Sequence, residues 1–554
     1  MDTGAGWAVI LAVTLTVAGW LATFPLIDRY YQFAFEPDSR VYTIPVTAGF
    51  YAAVRQFDIS ALPELDPDKP YLDAPFVIYA VAANLVSNVN YLLRLDRALL
   101  DVKTLLIFTI RHTNAILSAL TVGAFFLAAR WLCGSNLLAL ILSLLFLFSP
   151  QRLAVDLLRI DHVILFLIVA LYYLTFRMLQ LPQRKWPFIL TGICAAMLAN
   201  TKPNMLSHLV IPLTALFMLK YRRRIEKEAV WRFGAAFGAA VGFLMLRHLL
   251  NWDTIGDIWM NRLAKLSAWY GALDKEPYTY YNWSFFSGFG ITFLLLALVM
   301  VGLVVWMSIR QWNEGSRRQS SRVLLLLCFV MFSILGALSP KVPRWGVHFI
   351  PLYLFIIAAG FSALIHDIPR FRGLKGGRLV IIGFGIVALG PSLVLSAVEY
   401  RGLCIEAAQR AVSIEETRLA PRRFFREHIK TGARVAFYKH AWANPPIFDL
   451  DYRFDFDTLA FPYLNVQLMR RFLPPTFKSL ESRVDVVMLE DYHLRQQIEI
   501  LDRHGLHRQV ALWRRFYEGL EDRYRRIDFK SDFPNYGVRH VMIYVVNESV
   551  FNKT

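Results

Sequence analysis

The chain has 554 residues, of which 56% are apolar and 14% aromatic, and its formal net charge is +18. Ordinary soluble domains run at about 45–50% apolar residues, so this composition excludes a soluble globular protein and indicates an integral membrane protein. The positive charge does not call for nucleic acid, because Lys and Arg gathered between apolar runs follow from the positive-inside rule and from contact with membrane lipids.

The first apolar run, from about Trp7 to Ile27, has no Lys or Arg before it and no A-x-A site after it, so it reads as a retained span. A long first loop, 28–103, follows. It opens with "FEPDSRVYT", which sets Glu36 and Asp38 beside Arg40. "VYTIPVTAGFYAAVRQF" (Val41–Phe57) is amphipathic and predicts a helix along the membrane surface. "APFVIYAVAANLV" (Ala74–Val86), just after Asp73, is apolar but too short for the ~20 residues a span needs, so it predicts an interfacial or re-entrant helix.

On the same template about eleven spans are predicted, near 7–27, 105–130, 136–150, 162–180, 187–200, 205–220, 231–249, 287–308, 323–339, 346–365 and 378–399. The loops richest in Lys and Arg, Lys220–Arg232, Arg310–Arg322 and Arg370–Arg378, are separated by two spans each, and positive-inside assigns all of them to the cytoplasm. The N-terminus then lies inside. The first loop, "SPQRLAVDLLRIDH", "NTKPN", the loop Asn251–Phe286, "SPKVPRWGVH" and everything beyond about Tyr400 lie outside. The four cysteines, Cys133, Cys194, Cys328 and Cys404, form neither a metal-ligand spacing nor a disulfide framework.

From 400 to 554 the apolar runs shorten and charges recur every few residues. "SIEE" (Ser413–Glu416) matches a capping box opening a helix. "RVAFY" (Arg434–Tyr438), "VDVVML" (Val484–Leu489) and "VRHVMIYVV" (Val538–Val546) read as strands, with a helix from about Tyr492 to a stop at Gly505. The expected architecture is an α-helical polytopic membrane domain, 1–399, followed by a small extracytoplasmic α/β domain, 400–554.

This topology gathers ionisable groups on the outer side: Glu36, Asp38 and Arg40; Asp156, Arg159 and Asp161; Lys202; and Lys341, Arg344 and His348. Such residues beside apolar spans are costly unless paired or facing a wet cavity, so they imply a polar chamber. A carboxylate near a hydroxyl can take its proton as the alcohol attacks. Glu36 and Asp38 could equally cap a helix or pair with Arg29 and Arg40. The cations could hold a lipid phosphate, which Arg grips bidentately and Lys as a point charge, or could snorkel to the interface. The aromatic loop Trp269–Phe286 suits sugar stacking or a membrane-surface belt. Asn282 and Asn547 match the glycosylation acceptor pattern.

"FEPDSRVYT", then "YLDAPFVIYAVAANL", then "RHTNAILSALTVGAFFLAARWL" resembles the GT-C superfamily of polytopic glycosyltransferases, nearest to protein O-mannosyltransferases and aminoarabinose transferases. "GICAAMLANTKPNML" and "PRWGVHFIPLYLFIIAAGFSAL" extend the likeness over roughly the first 400 residues. The resemblance implies inverting transfer of a sugar from a polyprenyl-phosphate carrier to a glycan, lipid or protein acceptor at the outer face. It implies Asp38 as base and Lys202 and Arg344, with His348 and Lys341 nearby, as holders of the carrier phosphate. Asp38 is followed by Ser39 rather than by a second acid, and Asp73-Ala74-Pro75 stands where many members carry His-Pro-Pro, so Asp73 or Glu36 could share the role of Asp38. Some branches of the superfamily use metal, which leaves a divalent cation open. A bacterial inner membrane is the expected location. A transporter or a non-catalytic envelope subunit is the competing reading, against which stand the absence of an internal repeat and the long first loop.

Overall fold

The computed structural model describes residues 3–23, 43–56, 62, 73–94, 96–149, 152, 157–222, 224–245, 289, 291–310, 317–338, 347–368, 376–437, 450–455, 458–459, 466–471, 473–535 and 538–552. Its contacts divide the described residues into two units, one holding those up to Cys404 and the other those from Ile405 onward.

The first unit is a helix bundle. Its described helices are α1 (Thr3–Thr23), α2 (Ile44–Gln56), α3 (Ala74–Leu93), α4 (Val102–Cys133), α5 (Asn136–Leu147), α6 (Asp161–Gln180), α7 (Trp186–Ala199), α8 (Val210–Tyr221), α9 (Lys227–Leu244), α10 (Ile291–Arg310), α11 (Arg317–Leu338), α12 (Ile350–His366) and α13 (Gly377–Ile414). Among the described residues six helices are long and apolar enough to cross a membrane, and five apolar helices are shorter. Small residues let backbones approach, as is common between membrane helices. A methyl group added at Gly19 would meet the Ala119 backbone at 3.2 Å, and one at Gly192 the Phe233 carbonyl at 2.6 Å.

Local chemistry sets the helix ends. Asp101 accepts from the Thr104 amide at 2.8 Å to start α4, and Gly134, at φ 65°, ends it. Two expectations are corrected here. The apolar run after Asp73 is no thirteen-residue element: α3 extends to Leu93, 20 residues, and is long enough to span. Its polar tail is satisfied locally, since Asn90 Nδ2 donates to the Asp96 carbonyl at 3.0 Å and Asn90 Oδ1 accepts from the Asp96 amide at 2.9 Å. The parity count that rested on a short element therefore loses its support. The capping box at Ser413–Glu416 opens nothing either, because α13 already runs through it into a π-turn at Glu415–Leu419.

The second unit carries the short helices α14 (Ala420–His428), α15 (Val466–Arg471) and α16 (Phe477–Arg483) and a five-stranded sheet of β1 (Arg434–Phe437), β2 (Arg453–Asp455), β3 (Val486–Glu490), β4 (Arg525–Asn535) and β5 (Val538–Val545), in the order β2-β1-β3-β5-β4. β1 is parallel to β2 and β3, whereas β5 is antiparallel to β3 and β4. Every residue of β3 is buried, as expected of a strand covered on both faces. Val487 and Leu489 join the core built on Trp513 of helix α18 (His507–Arg523). Val486 and Met488 join Phe425 and Ile429 on the other face. Helix α17 (Asp491–Arg503) lies between β3 and α18 in sequence and stops before Gly505, at φ 68°.

Candidate functional site

Three ionisable side chains meet at one end of the helix bundle. Asp161 opens α6, where the positive end of the helix dipole favours a carboxylate. Lys202 follows α7 and precedes Pro203, and the residue before proline is driven to extended backbone. Lys202 accordingly has φ −144° and ψ 145° and starts a 3₁₀ turn, Pro203–Leu209. His348 sits just ahead of α12.

Lys202 Nζ donates to Asp161 Oδ1 at 2.9 Å. His348 Nε2 stands 3.5 Å from the same oxygen, within ion-pair reach when protonated. The side chains are 12%, 5% and 5% exposed for Lys202, Asp161 and His348, so the group is shielded from solvent. One carboxylate thus organises two nitrogen bases. His208, in the turn after Lys202, is buried against the Phe332 ring at 4.5 Å.

Asp73 is buried at the N-terminus of α3 and lies on the same side through backbone contact. Its amide donates to Asn200 Oδ1 at 3.1 Å, two residues before Lys202. The Arg159 carbonyl accepts from Asn114 Nδ2 at 2.9 Å, which fixes the turn that leads into Asp161. Glu36, Asp38, Arg40, Asp156, Lys341 and Arg344 lie outside the described residues, as do the Trp269–Phe286 loop and Asn282. Asn547 is engaged within the second unit: its Nδ2 donates to Asp485 at 3.1 Å and its Oδ1 accepts from Ser549 Oγ at 2.7 Å.

Sequence reasoning passed over Asn114, Asn200 and Arg152. Arg152 is fully buried, donates to the Leu147 carbonyl at the end of α5 at 2.7 Å and to Ser118 Oγ, and lies over the Phe146 ring. These contacts make it a helix C-cap whose charge meets the negative end of the helix dipole. Among the described residues no group of three or more His, Cys, Asp or Glu side chains is placed to hold a metal ion.

No family model matches the chain, and no curated protein matches it in sequence. Its fold is nevertheless found among solved structures. ArnT from Cupriavidus metallidurans bound to undecaprenyl phosphate aligns over 99% of this chain and 99% of its own, with a TM-score of 0.54 at 12% identity. The apo form aligns over 100% of both chains, with a TM-score of 0.53 at 12% identity. The S. cerevisiae protein O-mannosyltransferase Pmt1-Pmt2 complex bound to the sugar donor aligns over 45% of this chain and only 34% of its own, with a TM-score of 0.33 at 16% identity. The chain has the GT-C fold, in the arrangement seen in ArnT.

Proposed function

We propose that this protein is a membrane glycosyltransferase that moves a sugar from a polyprenyl-phosphate carrier to an acceptor hydroxyl at the extracytoplasmic face. The observation that carries the reading is the buried Asp161, Lys202 and His348 cluster at the head of a GT-C helix bundle. ArnT has been solved with undecaprenyl phosphate bound, and a cluster in which two nitrogen bases share one carboxylate suits a phosphate.

In this mechanism the acceptor oxygen attacks the anomeric carbon from the face opposite the carrier, which inverts that centre. The bond from the anomeric carbon to the phosphate oxygen breaks, and its electron pair leaves with the polyprenyl phosphate. Lys202 and His348, joined by Arg344 and Lys341, neutralise that developing charge, the kind of interaction that lowers a barrier most when prearranged in a dry site. Asp38 takes the acceptor proton, a role that Glu36 or Asp73 could share.

The test is to incubate the purified protein with polyprenyl-phosphate-linked sugars and an extract of candidate acceptors, following release of free polyprenyl phosphate. Release by the wild type, lost in Asp38→Asn while undecaprenyl phosphate still binds, supports the reading. An unchanged rate in Asp38→Asn refutes the base assignment. Failure of the wild type to bind undecaprenyl phosphate at all refutes the donor class. Arg344→Ala should weaken donor use without changing acceptor preference; the reverse outcome refutes its place on the phosphate.

A further inference from the structure

The residues of the candidate site are held by two neutral amides that no charge-based reading picks out. Asn114, in α4, is completely buried, and its amide is spent on three partners. Oδ1 accepts from the Tyr79 hydroxyl at 2.9 Å, and Nδ2 donates to the Leu157 carbonyl at 2.7 Å and the Arg159 carbonyl at 2.9 Å. An amide nitrogen has two N–H groups, so both are committed to the turn that delivers Asp161.

Asn200 does the equivalent work on the other side. Asp73 stands at the N-cap position of α3, where an Asp side chain ordinarily caps its own helix, yet it makes no such bond. Asn200, at the end of α7, takes over: its Oδ1 accepts from the amides of Asp73 at 3.1 Å and Ala74 at 3.3 Å, and its main-chain oxygen accepts from Ala74 at 3.1 Å. These bonds tie α3 to the turn that holds Lys202.

Followed in order, these contacts close on themselves. Asp73 bonds Asn200; Lys202, two residues on, bonds Asp161; the Arg159 carbonyl, two residues before, bonds Asn114; and Asn114 bonds Tyr79, which returns along α3 to Asp73. We propose that Asn114 and Asn200 are positioning residues that lock Asp73, Asp161 and Lys202 into one ring and so set the distance between the acid at the head of α3 and the phosphate-holding cation. That assignment of roles rests on the donor-site reading above; the mechanical coupling does not.

The two amides differ in what they need, which gives the test its pattern: the Asn200 side chain bonds through its oxygen, whereas Asn114 needs both its oxygen and its nitrogen. Asn200 acts only as an acceptor, and a carboxylate at a helix N-terminus is also a good acceptor, so Asn200→Asp should bind undecaprenyl phosphate within about threefold of the wild type. Asn200→Ala should bind it about tenfold more weakly, the scale on which supporting residues act on a site. Asn114 acts as a double donor, so Asn114→Asp should not rescue and should match Asn114→Leu. Hydrogen exchange on the full-length protein supplies a readout that needs no ligand. In Asn200→Ala, exchange should rise both at 73–80 and across the ring at 157–165. A rise confined to 73–80, with undecaprenyl phosphate binding unchanged, overturns the proposal. Wild-type protein that fails to bind undecaprenyl phosphate overturns the donor-site reading, and the exchange result then still decides the ring.

Discussion

Two buried ion clusters mark the two ends of α12, about 25 Å apart for a helix of its 17 residues, and they are built to different rules. After its last turn, Asp367 is paired with Arg322, one guanidinium to one carboxylate, with Arg322 and Asp367 side chains 2% and 15% exposed. Before its first turn, His348 and Lys202 converge on the single carboxylate of Asp161. A guanidinium paired with a carboxylate neutralises it. A carboxylate shared by two nitrogen bases lies at the first residue of α6, with Lys202 on the turn after α7 and His348 just ahead of α12. The first arrangement suits structure and the second suits a charged ligand.

The sharpest way to break this comparison is to remove the cations in turn. Lys202→Met should lower sugar transfer by about 100-fold or more, the usual consequence of deleting one prearranged donor, measured as polyprenyl phosphate released per minute. The double variant Lys202→Met/Asp161→Leu should regain stability without regaining transfer. Recovery of transfer in that double variant would reduce the cluster to a structural pair. Arg322→Met should act the other way, costing about 3–5 kcal/mol because it strands a largely buried carboxylate, measured by unfolding in detergent. Adding Asp367→Leu should restore most of that loss, and donor KM should be unchanged throughout.

The features legible in the sequence are those in which charge interrupts apolar patterning. Asp161, Lys202 and His348 stand out against their flanks, and Pro203 announces the backbone of Lys202. The GT-C resemblance was legible in the order of motifs, and the fold bears it out. Neutral polar residues within apolar runs were not legible. The run from Ala74 reads as ending at Val86, where polar Ser87 and Asn88 follow, whereas α3 continues to Leu93 and Asn90 near its end bonds Asp96, a contact visible only in the fold. Asn114 and Asn200 failed to register for the same reason. Ser413–Glu416 has the letters of a helix start, but letters do not reveal that a helix is already running. β4 was missed because Asp528, Lys530 and Asp532 break up its apolar residues; it is an edge strand, and charged residues on its exposed side are what an edge tolerates.

A third ion pair, in the second unit, offers a reference that is closer to water and has the smallest expected effect. Arg434 bridges β1 to the residue before β3: its Nη2 donates to Asp485 Oδ1 at 3.0 Å and its amide to Oδ2 at 2.9 Å. Burial raises the Asp485 pKa, but the bonds from Arg434 and Asn547 outweigh it and hold the carboxyl below the ordinary range. A carboxylate depressed in the folded state stabilises fully above its unfolded pKa, near 4, and loses that contribution as pH falls through the lower folded value. Hydrogen exchange of β1 and β3 should therefore be flat from about pH 7 to pH 5 once corrected for intrinsic rates, and should rise only in more acid solution. Asp485→Asn should start from a higher exchange rate and lose that acid limb. With Arg434 37% exposed, solvent screens the pair and the stability change should stay near the 1 kcal/mol or less typical of surface pairs. If Asp485→Asn instead destabilised β1 and β3 as much as Arg322→Met destabilises the bundle, burial would not be what separates these pairs.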